Sequence, residues 1–198
     1  MSSTDVRMSV VLPVRDRQHE IEKRVEDILE ALTAMTQQAA EVVVVDDGSK
    51  DATTEVLDEL SSRYPQVRIV CHSRPRGLEA AGQTGLERAS GDLVFIQETD
   101  SAVHIEDMRR LFRMSEDTSV VAARAESTRK PITGPLMRRL RAWGTDADKQ
   151  FEDQSENAKK SSLQMIRRSH LQALAGPRGN QYRLQGETIH ATSIGNDN

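Results

Sequence analysis

Four consecutive valines at residues 42–45 constrain the fold of this chain more than any other feature. A run this apolar and this rich in β-branched side chains is typical of a strand that is covered on both faces. The run ends abruptly at the polar residues 46–49, Asp-Asp-Gly-Ser. Because such strands occur mainly in parallel sheets with helices on either side, the valines predict an α/β protein.

Short apolar runs and helical stripes alternate along the first two thirds of the chain. Further apolar runs predict strands at residues 10–12, 67–70, 93–96 and 119–123. Apolar residues spaced three and four apart predict helices at residues 21–35, from about 51 to 60, 78–89 and 105–114. This alternation predicts a Rossmann-like, three-layer α/β/α fold with a mainly parallel sheet.

The charge distribution divides the chain into two segments. The 198 residues carry a net charge of −4, made up of −9 over residues 1–126 and +5 over residues 127–198. We interpret residues 1–126 as a compact α/β core and residues 127–198 as a basic segment packed on the same domain. The acidic balance argues against a nucleic-acid partner, and a homo-oligomer is compatible with the sequence.

Cysteine and hydropathy exclude several classes of protein. The single cysteine, Cys71, rules out a disulfide framework and a cysteine-rich zinc site, and its position at the end of an apolar strand predicts a buried side chain. No apolar run approaches the roughly 20 residues of a membrane helix. We therefore expect a cytoplasmic protein, with peripheral attachment to the inner face of a membrane as the alternative.

Acidic side chains follow two of the predicted strands. Asp46 and Asp47 follow the valines, and Glu98 and Asp100 follow the strand at 93–96. Each pair has two interpretations: the carboxylates accept hydrogen bonds from a ligand or bind a divalent cation, or they stabilise a turn before the next helix. Ligands of parallel sheets bind beyond the carboxyl ends of the strands, and neither a dinucleotide fingerprint nor a Walker loop is present.

Longer motifs add a family resemblance. Residues 9–14 (Ser-Val-Val-Leu-Pro-Val) and 41–53 (Glu-Val-Val-Val-Val-Asp-Asp-Gly-Ser-Lys-Asp-Ala-Thr) resemble the opening of family 2 inverting glycosyltransferases. Residues 76–86 and 89–96 continue the pattern in order and spacing. The resemblance implies a GT-A fold, a UDP- or GDP-sugar donor, and Mg²⁺ or Mn²⁺. Residues 163–171 and 182–187 are most similar to the polyprenyl-phosphate, dolichol-phosphate mannosyltransferase-like branch, which implies a lipid-phosphate acceptor; a glycan acceptor is the alternative.

The resemblance also implies roles for individual residues. Nucleotide-binding roles fall on Pro13, Val14, Asp16, Asp46, Asp47, Gly77 and Glu98. Glu98 and Asp100 occupy the position of the metal-binding Asp-x-Asp motif. Asp100, as a ligand of the metal and diphosphate, and Glu187, as an acid on the acceptor side, are the implied catalytic residues.

Several positions depart from the family pattern. Arg15 and Asp16 stand where an aromatic residue and Asn are usual, Pro75 and Gln83 where Asn is frequent, and Glu98 where Asp is usual. These departures leave a second hypothesis open, in which the protein is a catalytically degenerate relative that binds nucleotide or acts as an interaction module.

Basic residues are concentrated near the start of the second segment. Arg138, Arg139 and Arg141 lie near Leu136, Leu140 and Trp143. The cluster predicts capture of a diphosphate, a lipid phosphate or an anionic membrane surface, and the alternative is a solvated helix whose apolar face docks on the sheet.

Overall fold

A computed structural model of the chain describes residues 7–97, 101–127 and 161–174. The strands in these ranges are β1 (Met8–Val14), β2 (Ala40–Asp46), β3 (Val67–Cys71), β4 (Leu93–Gln97), β5 (Ala122–Ser127) and β6 (Ser161–Arg167). The helices are α1 (Ile21–Met35), α2 (Thr53–Arg63), α3 (Leu78–Arg88), α4 (Ile105–Met114) and α5 (Arg168–Leu174).

The six strands form one sheet in the order β3-β2-β1-β4-β6-β5. β1 pairs in parallel with both β2 and β4, and β2 pairs in parallel with β3. β6 pairs antiparallel with both β4 and β5. The predicted α/β fold with a mainly parallel sheet is confirmed.

Helices cover both faces of the sheet, which explains the run of valines. Val42 and Val44 pack into the core beneath α1, α2 and α4. Val43 and Val45 point to the opposite face and pack with residues of α3 and α5. All four valines are fully buried, because successive side chains of a strand alternate between faces that are both covered here.

Small residues bring α3 close to the sheet. A Cβ atom added to Gly85 would lie 2.2 Å from Cγ1 of Val11 and 3.2 Å from Cγ2 of Val45. The helix therefore contacts β1 and β2 through its backbone at this point. This contact fixes the distance between α3 and the sheet. It thereby also fixes where the amino end of α3 lies relative to the carboxyl ends of the strands.

The structure corrects the prediction for the fifth strand. β5 begins at Ala122 rather than at residue 119, because the carboxylate of Asp117 accepts hydrogen bonds from Ser119 N (2.8 Å) and Ser119 Oγ (2.6 Å) and forms a turn there. β6 was not predicted as a strand. It supplies part of the second segment to the same sheet, and the boundary at residue 126 remains a prediction.

Cys71 is exposed, so the predicted burial is wrong. It ends β3, which is an edge strand of the sheet and lacks a neighbour on one side. Partial desolvation and the negative charges of Asp46 and Asp58 raise the pKa of the Cys71 thiol. A thiol with a raised pKa is a poor nucleophile near neutral pH, which agrees with the sequence-based view that Cys71 is not catalytic.

Candidate functional site

The order of the strands locates the candidate site. The chain runs from β1 outward to β2 and β3, and then returns to place β4 on the other side of β1. In open α/β sheets, the crevice at such a reversal, beyond the carboxyl ends of the strands, is the usual ligand site. Here the crevice lies beside Val14 at the end of β1 and Gln97 at the end of β4.

The first loop at this edge, between β1 and α1, is joined to the second, between β2 and α2, by hydrogen bonds from backbone N–H groups to side-chain oxygens. Asp16 has a φ of +53°, in the left-handed region that Asp tolerates better than most residues. Its N–H donates to Ser49 Oγ (2.9 Å), and its Oδ1 accepts from the N–H of Lys50 (2.7 Å). Arg15 Nε lies 3.5 Å from the other carboxylate oxygen of Asp16, which is exposed.

A second set of hydrogen bonds joins the same two loops further from the sheet. The N–H of Gln18 donates to Asp51 Oδ2 (3.2 Å), and Gln18 Oε1 accepts from the N–H of Ala52 (2.8 Å). The N–H of Arg17 donates to Thr53 Oγ1 (2.7 Å). Although desolvation opposes ionisation, hydrogen bonds from Thr53 and Gln18 hold the pKa of Asp51 below its ordinary value. The β1–α1 and β2–α2 loops therefore form one continuous surface.

Asp46 stabilises the turn that follows β2. Its Oδ1 accepts from Ser49 N (2.9 Å) and Ser49 Oγ (2.5 Å), and its Oδ2 accepts from Thr54 Oγ1 (2.6 Å). The side chain is buried. The structure thus gives Asp46 the turn-stabilising role that the sequence left open as one of two interpretations. A carboxylate accepts about four hydrogen bonds, so about one acceptor position remains.

Asp47 attaches the β3–α3 loop to β2. Its Oδ1 lies 2.8 Å from His72 Nδ1 and accepts from the N–H of Arg76 (2.8 Å), while its Oδ2 accepts from the N–H of Gly77 (2.7 Å). Its own N–H donates to the carbonyl of Val14. Desolvation of this buried carboxyl opposes ionisation, but the hydrogen bonds from His72, Arg76 and Gly77 outweigh it and hold the pKa of Asp47 below its ordinary value.

Two glycines allow these loops to meet. Gly48 has a φ of +67°, and a Cβ atom there would lie 2.8 Å from Pro75 N, so only glycine fits against the β3–α3 loop. Gly77, with a φ of +95°, precedes α3 and has open space where a side chain would project. The amino end of α3 therefore borders the crevice through backbone alone.

The structure brings together six of the predicted site residues. Along one edge of the sheet lie Pro13, Val14, Asp16, Asp46, Asp47 and Gly77. The predicted residues Glu98, Asp100, Arg138, Arg139, Arg141 and Glu187 lie outside the described residues.

The described residues also show where the remaining candidates attach to the sheet. Gln97 and Ser101, on either side of residues 98–100, are joined by a hydrogen bond from Gln97 Nε2 to Ser101 Oγ (2.8 Å). Ser127 at the end of β5 pairs with Ser161 at the start of β6, at the edge where β4 ends. The connection that contains Arg138, Arg139 and Arg141 thus begins and ends at the candidate site.

Sequence reasoning missed the partners of the two aspartates. Ser49 and Thr54 bind Asp46, and His72 and Thr84 form a chain with Asp47. No second histidine stands at metal-binding spacing from His72 in the sequence. The position of His72 directly after β3, at the same edge as Asp47, was the signal that could have identified it.

The carboxylates of the described residues do not form a metal site among themselves. In residues 7–97, 101–127 and 161–174, no group of three or more His, Cys, Asp and Glu side chains is placed to hold a metal ion. Asp46 and Asp47 each already accept three hydrogen bonds.

The strand order and the layers of helices define an α/β protein with a GT-A type fold. A solved mannosyltransferase from Pyrobaculum calidifontis, in complex with GDP-Man and Mn²⁺, superposes with a TM-score of 0.61 and 22% identity, over 88% of this chain and 48% of that one. Residues 9–174 match the family described as glycosyl transferase family 2. The chain belongs to that family.

Curated relatives include enzymes that act with dolichol. The chain is 35% identical to a dolichol-phosphate mannosyltransferase of Pyrococcus furiosus over 95 residues, which is 48% of this chain and 26% of the relative. It is 27% identical to a dolichyl-phosphate β-glucosyltransferase of Trichomonas vaginalis over 156 residues, 70% of this chain and 45% of the relative. The matches thus span less than half of either relative. Among the described residues, no helix is long and apolar enough to cross a membrane.

Proposed function

We propose that this chain binds a GDP- or UDP-sugar at the carboxyl edge of the sheet and transfers the sugar, with inversion, to a polyprenyl phosphate. The observation that carries the proposal is the convergence of three loops at the β1/β4 crevice in a chain that matches the family over residues 9–174. The dolichol-linked relatives support the choice of acceptor.

The donor nucleotide is proposed to lie on the first two loops. Pro13, Val14 and Asp16 border the crevice, and the exposed carboxylate oxygen of Asp16 that lies 3.5 Å from Arg15 Nε keeps further acceptor capacity for a nucleotide N–H or hydroxyl. Asp46 and Asp47 keep about one acceptor position each for the base and ribose. Gly77 lets the diphosphate approach the backbone at the amino end of α3, where N–H groups favour anions.

Glu98 and Asp100 are the proposed ligands of Mg²⁺ or Mn²⁺. They follow Gln97, at the end of the strand that borders the crevice, and their carboxylate oxygens suit these hard cations. A divalent ion bound there would neutralise the charge that develops on the leaving nucleoside diphosphate. The Mn²⁺ in the complex of the Pyrobaculum enzyme supports a divalent metal in this family's donor site, while the choice of Glu98 and Asp100 rests on their position after β4.

The acceptor is proposed to approach from the β5–β6 side. Arg138, Arg139 and Arg141 belong to the connection that begins and ends there, and guanidinium groups bind phosphate oxygens bidentately. An ionised lipid phosphate attacks the anomeric carbon from the face opposite the leaving group and needs no strong base. Glu187 would serve as a general base only for a glycan hydroxyl.

The test is transfer from radiolabelled GDP-mannose and UDP-glucose to a C55 polyprenyl phosphate, with Mn²⁺, by the full chain. We expect a lipid-linked sugar of inverted anomeric configuration, abolished by EDTA and reduced at least 100-fold in Asp100→Ala. Asp58→Asn, an exposed change on α2, is the matched control and should retain activity.

The second candidate is a protein that binds nucleotide without transferring sugar. The commitment of Asp46 and Asp47 to hydrogen bonds within the chain favours it, because fewer acceptor positions remain for a substrate. Metal-dependent binding of nucleotide without transfer to either a lipid or a glycan acceptor would select this candidate over the first.

A further inference from the structure

Two neighbouring side chains that follow β1, Arg15 and Asp16, carry opposite charges at the edge of the candidate site. The side chains are 41% and 45% exposed, and Arg15 Nε lies 3.5 Å from Asp16 Oδ2. They occupy two of the positions at which the sequence departs from the family pattern. A guanidinium and a carboxylate thus stand side by side where the β1–α1 loop borders the crevice.

The backbone and one carboxylate oxygen of Asp16 are held in place by the surrounding loops. Its N–H donates to Ser49 Oγ (2.9 Å), its Oδ1 accepts from the N–H of Lys50 (2.7 Å), and its carbonyl accepts from Nη1 of Arg17 (3.0 Å). Oδ2 and one acceptor position of Oδ1 remain for a ligand. Because these contacts are made within the chain, the carboxylate is positioned before a ligand arrives.

The two other aspartates of the candidate site are less available to a ligand. Asp46 is 2% exposed and Asp47 is 1% exposed. Each takes part in three hydrogen bonds within the chain. Of the three aspartates, Asp16 therefore presents the most accessible carboxylate.

Arg15 also differs from other arginines of the fold. Arg7, Arg63 and Arg68 each donate to the carboxylate of a distant residue and so join elements of the structure. Nε of Arg15 is shielded from solvent and makes no hydrogen bond within the described part of the chain. Its guanidinium thus keeps its donors for a ligand.

Guanine and uracil differ at the edge that such a pair would contact. Guanine presents two donors, N1–H and N2–H, beside the acceptor O6, whereas uracil presents one donor, N3–H, between two carbonyl oxygens. A carboxylate only accepts hydrogen bonds, and a guanidinium only donates them. The pair therefore complements guanine, while a carboxylate that accepts from uracil N3–H also meets a carbonyl oxygen on either side of it.

We propose that Arg15 and Asp16 bind the base of the donor nucleotide and select a GDP-sugar over a UDP-sugar. The Asp16 carboxylate accepts from N1–H and N2–H of guanine, and the Arg15 guanidinium donates to O6 or N7. This inference rests on the proposed function, because it names which of the two donors that site takes.

The location of the pair fits the base rather than the diphosphate. The proposed diphosphate site is at Gly77, where α3 begins. Arg15 and Asp16 lie in the loop that leads into α1, and α1 and α3 pack on opposite faces of the sheet. A nucleotide that crosses the edge of the sheet can therefore place its base at the pair and its diphosphate at α3.

Calorimetric titration of the full chain with GDP, UDP and IDP, each with Mn²⁺, tests the assignment. Inosine diphosphate, IDP, differs from GDP only by the loss of the N2 amino group. We expect the Kd of UDP to exceed that of GDP by a factor of about ten or more, and the Kd of IDP to lie between them.

Asp16→Asn is the variant that tests the carboxylate. Asn tolerates the positive φ of this position, and its side-chain oxygen still accepts from Lys50, but its amide directs N–H donors at the base. We expect the Kd of GDP to rise by a factor of about ten or more and that of UDP to change less than about threefold. Asp58→Asn, at an exposed position of α2, is the matched control and should keep the wild-type ratio of the two Kd values.

Arg15→Lys tests the guanidinium and leaves Asp16 unchanged. Lysine keeps the positive charge but lacks the planar fork that reaches two acceptors at once. We expect the Kd of GDP to rise about three- to tenfold, with little change for UDP.

Three outcomes contradict the inference, and they separate it from the proposed function. Equal Kd values for GDP and UDP in the wild type, or tighter binding of UDP, would overturn selection by the pair while retaining a nucleotide site. An equal rise of both Kd values in Asp16→Asn would do the same, because the two nucleotides share the ribose and differ in the base. Binding of no nucleotide to folded wild-type protein would reject the proposed function and this inference with it.

Discussion

Several carboxylates within the described part of the chain join elements that are distant in sequence, as Asp16 and Asp47 do at the candidate site. Glu41 of β2 is a further example, remote from the candidate site. Its Oε1 accepts from Ser9 Oγ (2.7 Å), Ser90 N (2.6 Å) and Ser90 Oγ (2.8 Å), while its Oε2 pairs with Arg68 at 2.9 Å. One side chain therefore joins β1, β2, β3 and the α3–β4 loop.

We expect Glu41→Gln to lower the free energy of unfolding by about 1–2 kcal/mol at pH 7, because the charge-assisted hydrogen bonds weaken. Desolvation raises the pKa of Glu41, but hydrogen bonds from Ser9, Ser90 and Arg68 outweigh it, so the net pKa is lowered. The stabilisation is thus complete above the ordinary Glu pKa and is lost as the pH falls through the lower, folded-state value.

Urea unfolding at pH 7 and pH 3 tests this prediction at the residue scale. The difference between wild type and Glu41→Gln should be largest at pH 7 and shrink at pH 3. Glu59→Gln, at an exposed position of α2, should stay within about 0.5 kcal/mol of wild type at both values. An equal effect of Glu41→Gln at both pH values would contradict the electrostatic explanation.

Residue contacts were also the least predictable part of the site. The strand-end rule placed Asp46 and Asp47 at the correct edge, but it could not show that their oxygens accept hydrogen bonds from Ser49, Thr54 and His72. These bonds depend on how loops that are distant in sequence are positioned relative to one another. Local sequence patterns carry no information about these relative positions.

At the scale of the elements, α3 packs closely on the sheet at Gly85. Gly85→Ala would place a Cβ atom 2.2 Å from Val11 Cγ1, in a core with helices on the far side as well. We expect a loss of about 2–3 kcal/mol in unfolding free energy, because either α3 or β1 must shift. This loss of unfolding free energy is measured by thermal and urea unfolding of Gly85→Ala and wild type.

Gly82→Ala is the matched control in the same helix. Its Cβ would lie 3.1 Å from Cδ1 of Ile96, the flexible end of a side chain. The gain in helix propensity, about 0.5–1 kcal/mol, should offset the cost of displacing the end of the Ile96 side chain. The free energy of unfolding should therefore stay within about 1 kcal/mol of wild type. Equal losses in both variants would show that the close approach at Gly85 is not the cause.

Elements with strong local patterns were predicted well, and elements defined by distant partners were not. The apolar stripe of α1 gave its bounds, Ile21–Met35, because the period of a helix is local. β6 was not predicted, because it is defined by antiparallel pairing with β4, which lies about seventy residues earlier in the chain. The start of β5 shifted because one aspartate caps a turn.

At the scale of the whole molecule, the fold followed from the valine run and the alternation of elements. Both cores are mainly aliphatic, one on each face of the sheet, and buried aspartates join three loops at the carboxyl ends of the strands. The family match over residues 9–174 agrees with this architecture. The central claim is that this edge binds a nucleotide diphosphate with a divalent metal.

Isothermal titration calorimetry of the full chain with GDP and with UDP, in the presence and absence of Mn²⁺, tests that claim most directly. We predict saturable, one-to-one binding of at least one nucleotide that requires Mn²⁺ and disappears in Asp100→Ala, with the variant shown to be folded by circular dichroism. Absence of binding of either nucleotide to folded wild-type protein with Mn²⁺ would contradict the account.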